Sequence, residues 1–251
     1  MLKDKRILAV VPARGGSKGL RLKNLRRVLG VPLVARVGLV VEQVPMIDRA
    51  VVSTDHEDIA HAAEAAGMAA PFRRPPELSG DRIGDLEVLT HALSEMERID
   101  DIRYDIVVML QPTSPLRQPE HVAATIEMLV EGGWDAVWTV SETDSKTHPL
   151  KQLIVEDGRL TYWDPRGAAI IARQQLEPVY HRNGVAYGFT RECLLEQKII
   201  MGARTGALVL DGRFVSVDTE WDLELVEYIL RRAADEDERQ CGPVAGSGVR
   251  G

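Results

Sequence analysis

The sequence predicts an α/β domain built on a doubly wound, mostly parallel sheet. Short continuous apolar runs recur along the chain, each followed by a segment of helical periodicity, with few residues between them. The runs lack the apolar-polar alternation of a half-exposed strand, so they read as strands covered on both faces.

Residues 7–11 are the first such strand, and residues 32–44 read as a helix with Pro32 in its first turn. Residues 50–54 form a second strand. Asp55 suits the N-cap of an alanine-rich helix over 56–66, which Gly67 closes. Leu86, Leu89, Leu93 and Met96 fall at helical spacing within 84–98, and residues 105–110 are a strand. A helix over 119–130 stops at Gly132-Gly133, and a strand follows over 135–140. Residues 143–183 break the pattern: they are polar, carry Pro149, Pro165 and Pro178, and hold only short strand-like pieces. An insertion of that length suggests a lid, an arm or a binding element. The alternation then resumes with a strand over 185–190, a helix over 192–197, a strand over 214–217 and a helix over 220–234. Residues 1–234 therefore read as one domain, and the charged, then glycine-rich, residues 235–251 as a disordered tail.

Of the 251 residues, 45% are hydrophobic and 27% charged, ordinary for a globular enzyme. No run approaches the roughly 20 apolar residues of a membrane span. The first apolar run is too short and wrongly flanked for a secretory signal, so the expected location is cytoplasmic. Two cysteines, Cys193 and Cys241, make no disulfide framework and have no metal-ligand spacing; Cys193 suits a helical core position. The net charge of −7 argues against a nucleic-acid surface. Between Lys5 and Val41, however, there is no Asp or Glu, while Arg14, Lys18, Arg21, Lys23, Arg26 and Arg27 all fall there. An acidic chain that gathers its cations in one segment is suited to a compact polyanion.

The loop after the first strand, Arg14-Gly15-Gly16-Ser17-Lys18-Gly19, sits where open α/β sheets bind ligands. Its glycines let backbone N–H groups turn toward an anion, and Arg14 and Lys18 add full charges. It has neither the Walker A nor the GxGxxG spacing. A glycine-rich loop is often just a tight turn, but the paired cations favour the phosphate reading.

The residues around it narrow the choice. Val11-Pro12-Ala13-Arg14, Ser17-Lys18-Gly19 and Leu22-Lys23-Asn24 are followed in order by Ser53-Thr54-Asp55, Arg74-Pro75-Pro76-Glu77-Leu78 and Leu110-Gln111-Pro112-Thr113-Ser114-Pro115-Leu116-Arg117. His148-Pro149-Leu150-Lys151, Arg173-Gln174-Gln175-Leu176, Asn183-Gly184 and Val217-Asp218-Thr219-Glu220 complete the series. Over about residues 7–230 the chain resembles the CMP-N-acylneuraminate synthetases, and it is the ordered set rather than any single motif that is specific.

That resemblance implies a nucleotide-diphospho-sugar transferase-like fold. It also implies transfer of CMP from CTP to the anomeric hydroxyl of a nine-carbon 2-keto acid sugar, with release of pyrophosphate. Arg14 and Lys18 would grip the triphosphate with Gly15, Gly16 and Ser17, and Lys23 and Asn24 would lie close to the same nucleotide. Arg74 would help hold the cytidine, with Asp81 nearby; without the family pattern Arg74 reads as a surface arginine beside a proline turn. Gln111, Lys151, Arg173 and Asn183 would face the sugar, the two cations toward its carboxylate. Similar enzymes are homodimers whose insertion reaches the partner's site, so the insertion is expected to be a dimerisation arm and its cations to serve either subunit. His148 precedes a proline in a loop and is expected to be structural rather than a general base. Trp134, Trp138, Trp163 and Trp221 read as core or interface residues.

Mg²⁺ is the implied cofactor, and there the match departs from the family pattern. Two aspartates commonly stand one residue apart before the Thr-Glu pair; this chain has Ser216 and Asp218. Magnesium accepts one carboxylate when phosphate oxygens and waters complete its octahedron, so Asp218 is the expected metal ligand. A cytidylyltransferase for an eight-carbon keto acid, and a non-catalytic binding relative, are the competing readings.

Overall fold

Strand β1 (Ile7–Pro12) sorts its residues to the two faces of a six-stranded sheet and so divides the core in two. The computed structural model describes residues 1–240. Ile7, Ala9 and Val11 join one fully buried cluster, and Leu8 and Val10 join another. This is the period-two geometry of a strand covered on both faces.

A two-residue pair, β2 (Arg27–Val28) and β3 (Val31–Pro32), leads into helix α1 (Leu33–Val41). Pro32 stands just outside the helix, at its cap. Strand β4 (Arg49–Ser53), helix α2 (Glu57–Glu64), helix α3 (Asp85–Asp100), strand β5 (Ile106–Met109), helix α4 (Pro119–Gly132) and strand β6 (Ala136–Glu142) follow. A separate hairpin, β7 (Leu153–Glu156) and β8 (Arg159–Tyr162), precedes strand β9 (Tyr180–Thr190), helix α5 (Arg191–Leu195), strand β10 (Thr205–Val209) and helix α6 (Glu220–Gln240). The sheet runs β10-β6-β9-β5-β1-β4. All neighbours are parallel except where β9 lies antiparallel between β5 and β6, so the sheet is doubly wound and mostly parallel.

On one face α1, α2 and α4 bury Val34, Val37, Ile59, Ala63, Val122 and Ile126. On the other, α3 and α5 bury Leu89, Leu93, Met96 and Cys193. Each fully buried side chain of the Leu or Met size contributes roughly 1.5–3 kcal/mol. No helix among the described residues is long and apolar enough to cross a membrane.

The structure departs from the sequence reading in four places. The strand expected over 214–217 is outside the sheet; Phe214, Val215 and Val217 are apolar because they pack beside α6 with Leu33, Leu223 and Val226. The edge strand is instead β10, whose Gly206 and exposed Ala207 weaken the strand pattern. Strand β9 begins at Tyr180, earlier than expected, because a bulge carries it on to pair with Ser141 and Glu142. Helix α6 continues to Gln240, so residues 235–240 are helical rather than tail. Residues 241–251, with Cys241 and the rest of the expected tail, lie outside the described residues.

Candidate active site

The carboxyl ends of β1 and β5 open onto a cavity of about 770 Å³, within the range of small-molecule sites. Pro12 ends β1 at its wall, Gln111 follows β5, and Arg74 reaches in from the segment after α2. Arg14, Ser17, Lys18, Gly19, Lys23 and Asn24 form one side, and Ser216, Asp218 and Thr219 close it from the approach to α6.

The loop is held by its own side chains. Asn24 is buried and donates to the carbonyl oxygen of Arg14 at 2.9 Å. Asp55 accepts from the Gly15 backbone N–H at 2.7 Å. The capping role expected of Asp55 is therefore not the one it plays. His56 holds the cap position of α2, and the Asp55 carboxylate instead takes a donor of the glycine-rich loop. Gly15 and Gly16 form the backbone of that loop without lining the cavity. A Cβ on Gly15 would meet the His56 ring at 2.8 Å, and one on Gly19 would meet the Asp218 carbonyl oxygen at 2.7 Å. At those two positions glycine permits a close approach.

Three ion pairs, on two carboxylates, line the cavity. Lys23 Nζ lies 2.7 Å from Asp218 Oδ1. Arg14 Nη1 and Lys18 Nζ lie 2.7 and 2.6 Å from the two oxygens of Asp81. Asp81, expected beside the nucleotide as an acceptor, thus has both oxygens on the loop cations. Lys18 and then Arg14, by hydrogen bonding, hold its carboxyl below the usual range.

Arg74 is buried rather than on the surface: Nε donates to Ser53 Oγ at 3.1 Å and Nη2 donates to the Ser53 carbonyl oxygen. Burial pushes its pKa down to about 10, against the attraction of Asp55. Asp218 is set by a capping box at the start of α6. Asp222 accepts from the backbone N–H groups of Asp218 and Thr219 at 2.9 and 2.7 Å, while Thr219 Oγ1 accepts from Asp222 N. Among the described residues no group of three or more His, Cys, Asp or Glu side chains could hold a metal alone. One carboxylate beside a hydroxyl suits an ion that arrives with phosphate oxygens, so the residues present fit a metal–polyphosphate complex.

Three of the expected sugar contacts lie away from the cavity. Asn183 is buried in the β9 bulge: its Oδ1 accepts from Thr139 Oγ1 and Val185 N at 2.7 and 3.1 Å, and its Nδ2 donates to Ser141 Oγ at 3.1 Å. Its Oδ1 is engaged in stitching the bulge and one Nδ2 hydrogen is left over, and Asn183 is not in the cavity lining of this chain. Lys151 and Arg173 sit on short 3₁₀ turns of the inserted arm, outside the cavity lining of this chain. His148 is buried, accepting from Leu150 N at 3.1 Å through Nδ1, with Nε2 3.0 Å from the Glu177 carbonyl oxygen; this is a structural role.

Other residues belong to the site although the sequence reading gave them no role. Arg117 is buried with three carbonyl partners, those of Val185, Gln111 and Gly184, and burial pushes its pKa down to about 9. It ties the Gln111 turn to the bulge. Gly184 has φ +73°, and a Cβ there would strike Ser114 Oγ. Asp85 lines the cavity and accepts from Arg182 at 3.0 Å, whose guanidinium lies 4.5 and 4.7 Å from the Trp138 and Tyr187 ring centroids. Arg117 and Asp55 stood inside the quoted motifs; Asp85 and Arg182 carried no sequence signal.

Comparison with known proteins gives the family. Residues 8–237 match the family model described as cytidylyltransferase. The chain is 31% identical over 235 residues to CMP-N,N'-diacetyllegionaminic acid synthase of Legionella pneumophila, covering 90% of this chain and 96% of that protein. It is 27% identical over 227 residues to the post-translational flagellin modification protein B of Campylobacter coli, covering 90% and 95%. A solved CMP:2-keto-3-deoxy-manno-octonic acid synthetase complexed with CTP superposes with a TM-score of 0.65 at 21% identity, covering 91% of this chain and 100% of that one, a likeness of fold. The chain belongs to the cytidylyltransferase family, in its CMP-sialic-acid synthetase group, and is a nucleotidyltransferase.

Proposed function

We propose that this enzyme transfers CMP from CTP to the anomeric hydroxyl of a nine-carbon 2-keto acid sugar and releases pyrophosphate. The observation that carries the reading is the meeting of Arg14, Lys18 and Lys23 with Asp218 around one cavity at the end of β1. The name of the Legionella relative, a synthase of a CMP-sugar acid, supports the acceptor class.

In this reading the sugar oxygen attacks the α-phosphorus in line, its proton is lost, and the bond from the α-phosphorus to the bridging oxygen breaks. No covalent enzyme intermediate is required. Arg14 and Lys18 bind the β- and γ-phosphates, and Lys18 offsets the charge that grows on departing pyrophosphate. Ser17, which lines the cavity beside them, would contact the same anion. Arg74, fixed against Ser53, holds the cytidine, and Gln111, fixed through Arg117, orients the sugar. Asp218, with Ser216 beside it, would hold Mg²⁺, which when bound draws charge from the phosphates.

The inserted arm supports a homodimer. Leu153 pairs with Tyr162 and Val155 with Leu160 across β7 and β8, so all four share one face of the hairpin, and all four are exposed. A lone two-stranded hairpin is marginal in water, and an uncovered apolar face marks a contact surface. A second copy of the chain would cover it and bring Lys151 and Arg173 toward a neighbouring cavity, where they would bind the sugar carboxylate. The soluble substrates are consistent with work in the cytoplasm.

Pyrophosphate release, measured with CTP, Mg²⁺ and a panel of eight- and nine-carbon keto acid sugars, tests the reading. Release with a nine-carbon acid supports it; release with an eight-carbon acid alone, or with none, contradicts it.

A further inference from the structure

Asp81 lies between two of the cations that line the cavity. Its carboxylate accepts from Lys18 at 2.6 Å and Arg14 at 2.7 Å, and among the described residues neither cation has another carboxylate within ion-pair distance. A carboxylate bridging an arginine and a lysine presents two oxygens, as a phosphate would. Asp81 lies on the irregular stretch between the Pro76–Leu78 turn and α3, where a Cβ on Gly80 would meet only Ile83, at 3.8 Å. Its side chain is 41% exposed and that of Lys18 82%. The segment is open enough for the carboxylate to withdraw.

We propose that Asp81 is a resident counter-anion for the loop cations, displaced by the polyphosphate of the nucleotide, and so a positioning residue that sets how tightly substrate and pyrophosphate are held. The inference rests on the reading of the loop as a triphosphate site. A polyphosphate that reaches Arg14 and Lys18 competes with Asp81 for the same two cations, because two anions held there would repel each other. Asp81 has two opposed effects: it pre-aims the cations, and it competes with the ligand. Pre-aiming counts for little where the side chain held is as solvated as Lys18, and exposed ion pairs contribute modestly. Competition therefore wins. Asp81 weakens binding of CTP and, by the same contact, speeds departure of pyrophosphate.

The direction separates this role from its rival. A carboxylate that contacts the cytosine amino group or a metal would strengthen binding. The test measures Kd for CTP, cytidine and inorganic pyrophosphate on the full chain, wild type and Asp81→Asn, with thermal unfolding as the check on folding and Asp81→Glu as a charge-retaining control. The expected result for Asp81→Asn is CTP and pyrophosphate bound about threefold to tenfold more tightly and cytidine unchanged. Turnover should fall as product release slows, with Asp81→Glu close to wild type. Weaker CTP binding by Asp81→Asn, or an equal gain for cytidine, overturns the counter-anion role while leaving the triphosphate site standing. A wild-type protein that binds neither CTP nor pyrophosphate overturns both.

Discussion

Lys23 and Asp218, 195 residues apart in the chain, meet at 2.7 Å across the mouth of the cavity. The contact joins the loop after β1 to the segment that leads into α6, so the two ends of the domain close one site. Lys23 is mostly buried and Asp218 mostly exposed, which leaves a second side of the carboxylate open to the cavity.

That openness makes Asp218 testable apart from folding. Asp218→Asn should leave the thermal unfolding midpoint within a few degrees of wild type, since surface substitutions shift stability by less than roughly 0.5 kcal/mol. Mg²⁺-dependent turnover at saturating CTP should drop by about a hundredfold or more. Unchanged Mg²⁺-dependent turnover would remove Asp218 from the metal site.

The glycines of the loop divide into those that need to be glycine and those that do not. Gly19→Ala pushes a Cβ against the Asp218 carbonyl oxygen, at 2.7 Å, whereas a Cβ on Gly16 meets nothing within 4 Å. Gly19→Ala should lower kcat/KM about tenfold to a hundredfold by moving Asp218, and Gly16→Ala should stay within about threefold of wild type. Steady-state kinetics on the two variants decides between a loop shaped by packing and one shaped by backbone freedom.

Most of the fold was legible in the sequence because the strands buried on both faces, such as β1 and β5, are unbroken apolar runs. The edge was not: β10 is half exposed, while residues 214–217 are apolar for a different partner, the α6 face. The lining of the cavity was legible where a polar residue follows a strand end, as with Arg14, Lys18 and Gln111, which do line it. It was not where partners are set by tertiary packing. Nothing local distinguishes an Asn183 that stitches a bulge from one that faces a ligand, or an Asp55 that caps a helix from one that holds the Gly15 amide.

Arg117 shows what that packing is worth. Its guanidinium serves the carbonyls of Val185, Gln111 and Gly184, the first and last of them buried. Arg117→Ala should cost about 2–4 kcal/mol of stability, read by denaturant unfolding. Arg117→Lys, with one point charge in place of a planar fork, should recover only part of it. Both variants should lower kcat/KM through Gln111. A loss below about 0.5 kcal/mol for Arg117→Ala would mean that the bulge holds itself.

Cys193 gives the pH dependence a sign. Burial pushes its thiol up from 9.0 to about 11, so the folded state favours the protonated form. Its contribution to stability is constant below about pH 9 and is lost as pH rises toward 11. Unfolding free energies measured from pH 7 to 11 should decline at the alkaline end, and Cys193→Ala should decline less steeply over the same interval. In a Cys241→Ser background, native protein at pH 8 should react with a thiol reagent only at the rate of unfolding.

The apolar face of the arm predicts an assembly. Val155→Asp or Leu160→Asp should convert a dimer into a monomer, seen by sedimentation, and reduce turnover with it. Mixing Lys151→Ala, Arg173→Ala subunits with Asp218→Asn subunits should restore part of the activity if the arm serves the neighbouring cavity. A wild-type monomer of full activity would contradict the dimer.

The most direct test of the whole account is release of pyrophosphate from CTP in the presence of Mg²⁺ and a nine-carbon 2-keto acid sugar, with recovery of the CMP-sugar. Stoichiometric pyrophosphate and CMP-sugar are expected with at least one such acid, and none with UTP. CTP binding without release, whatever acid is supplied, would contradict it.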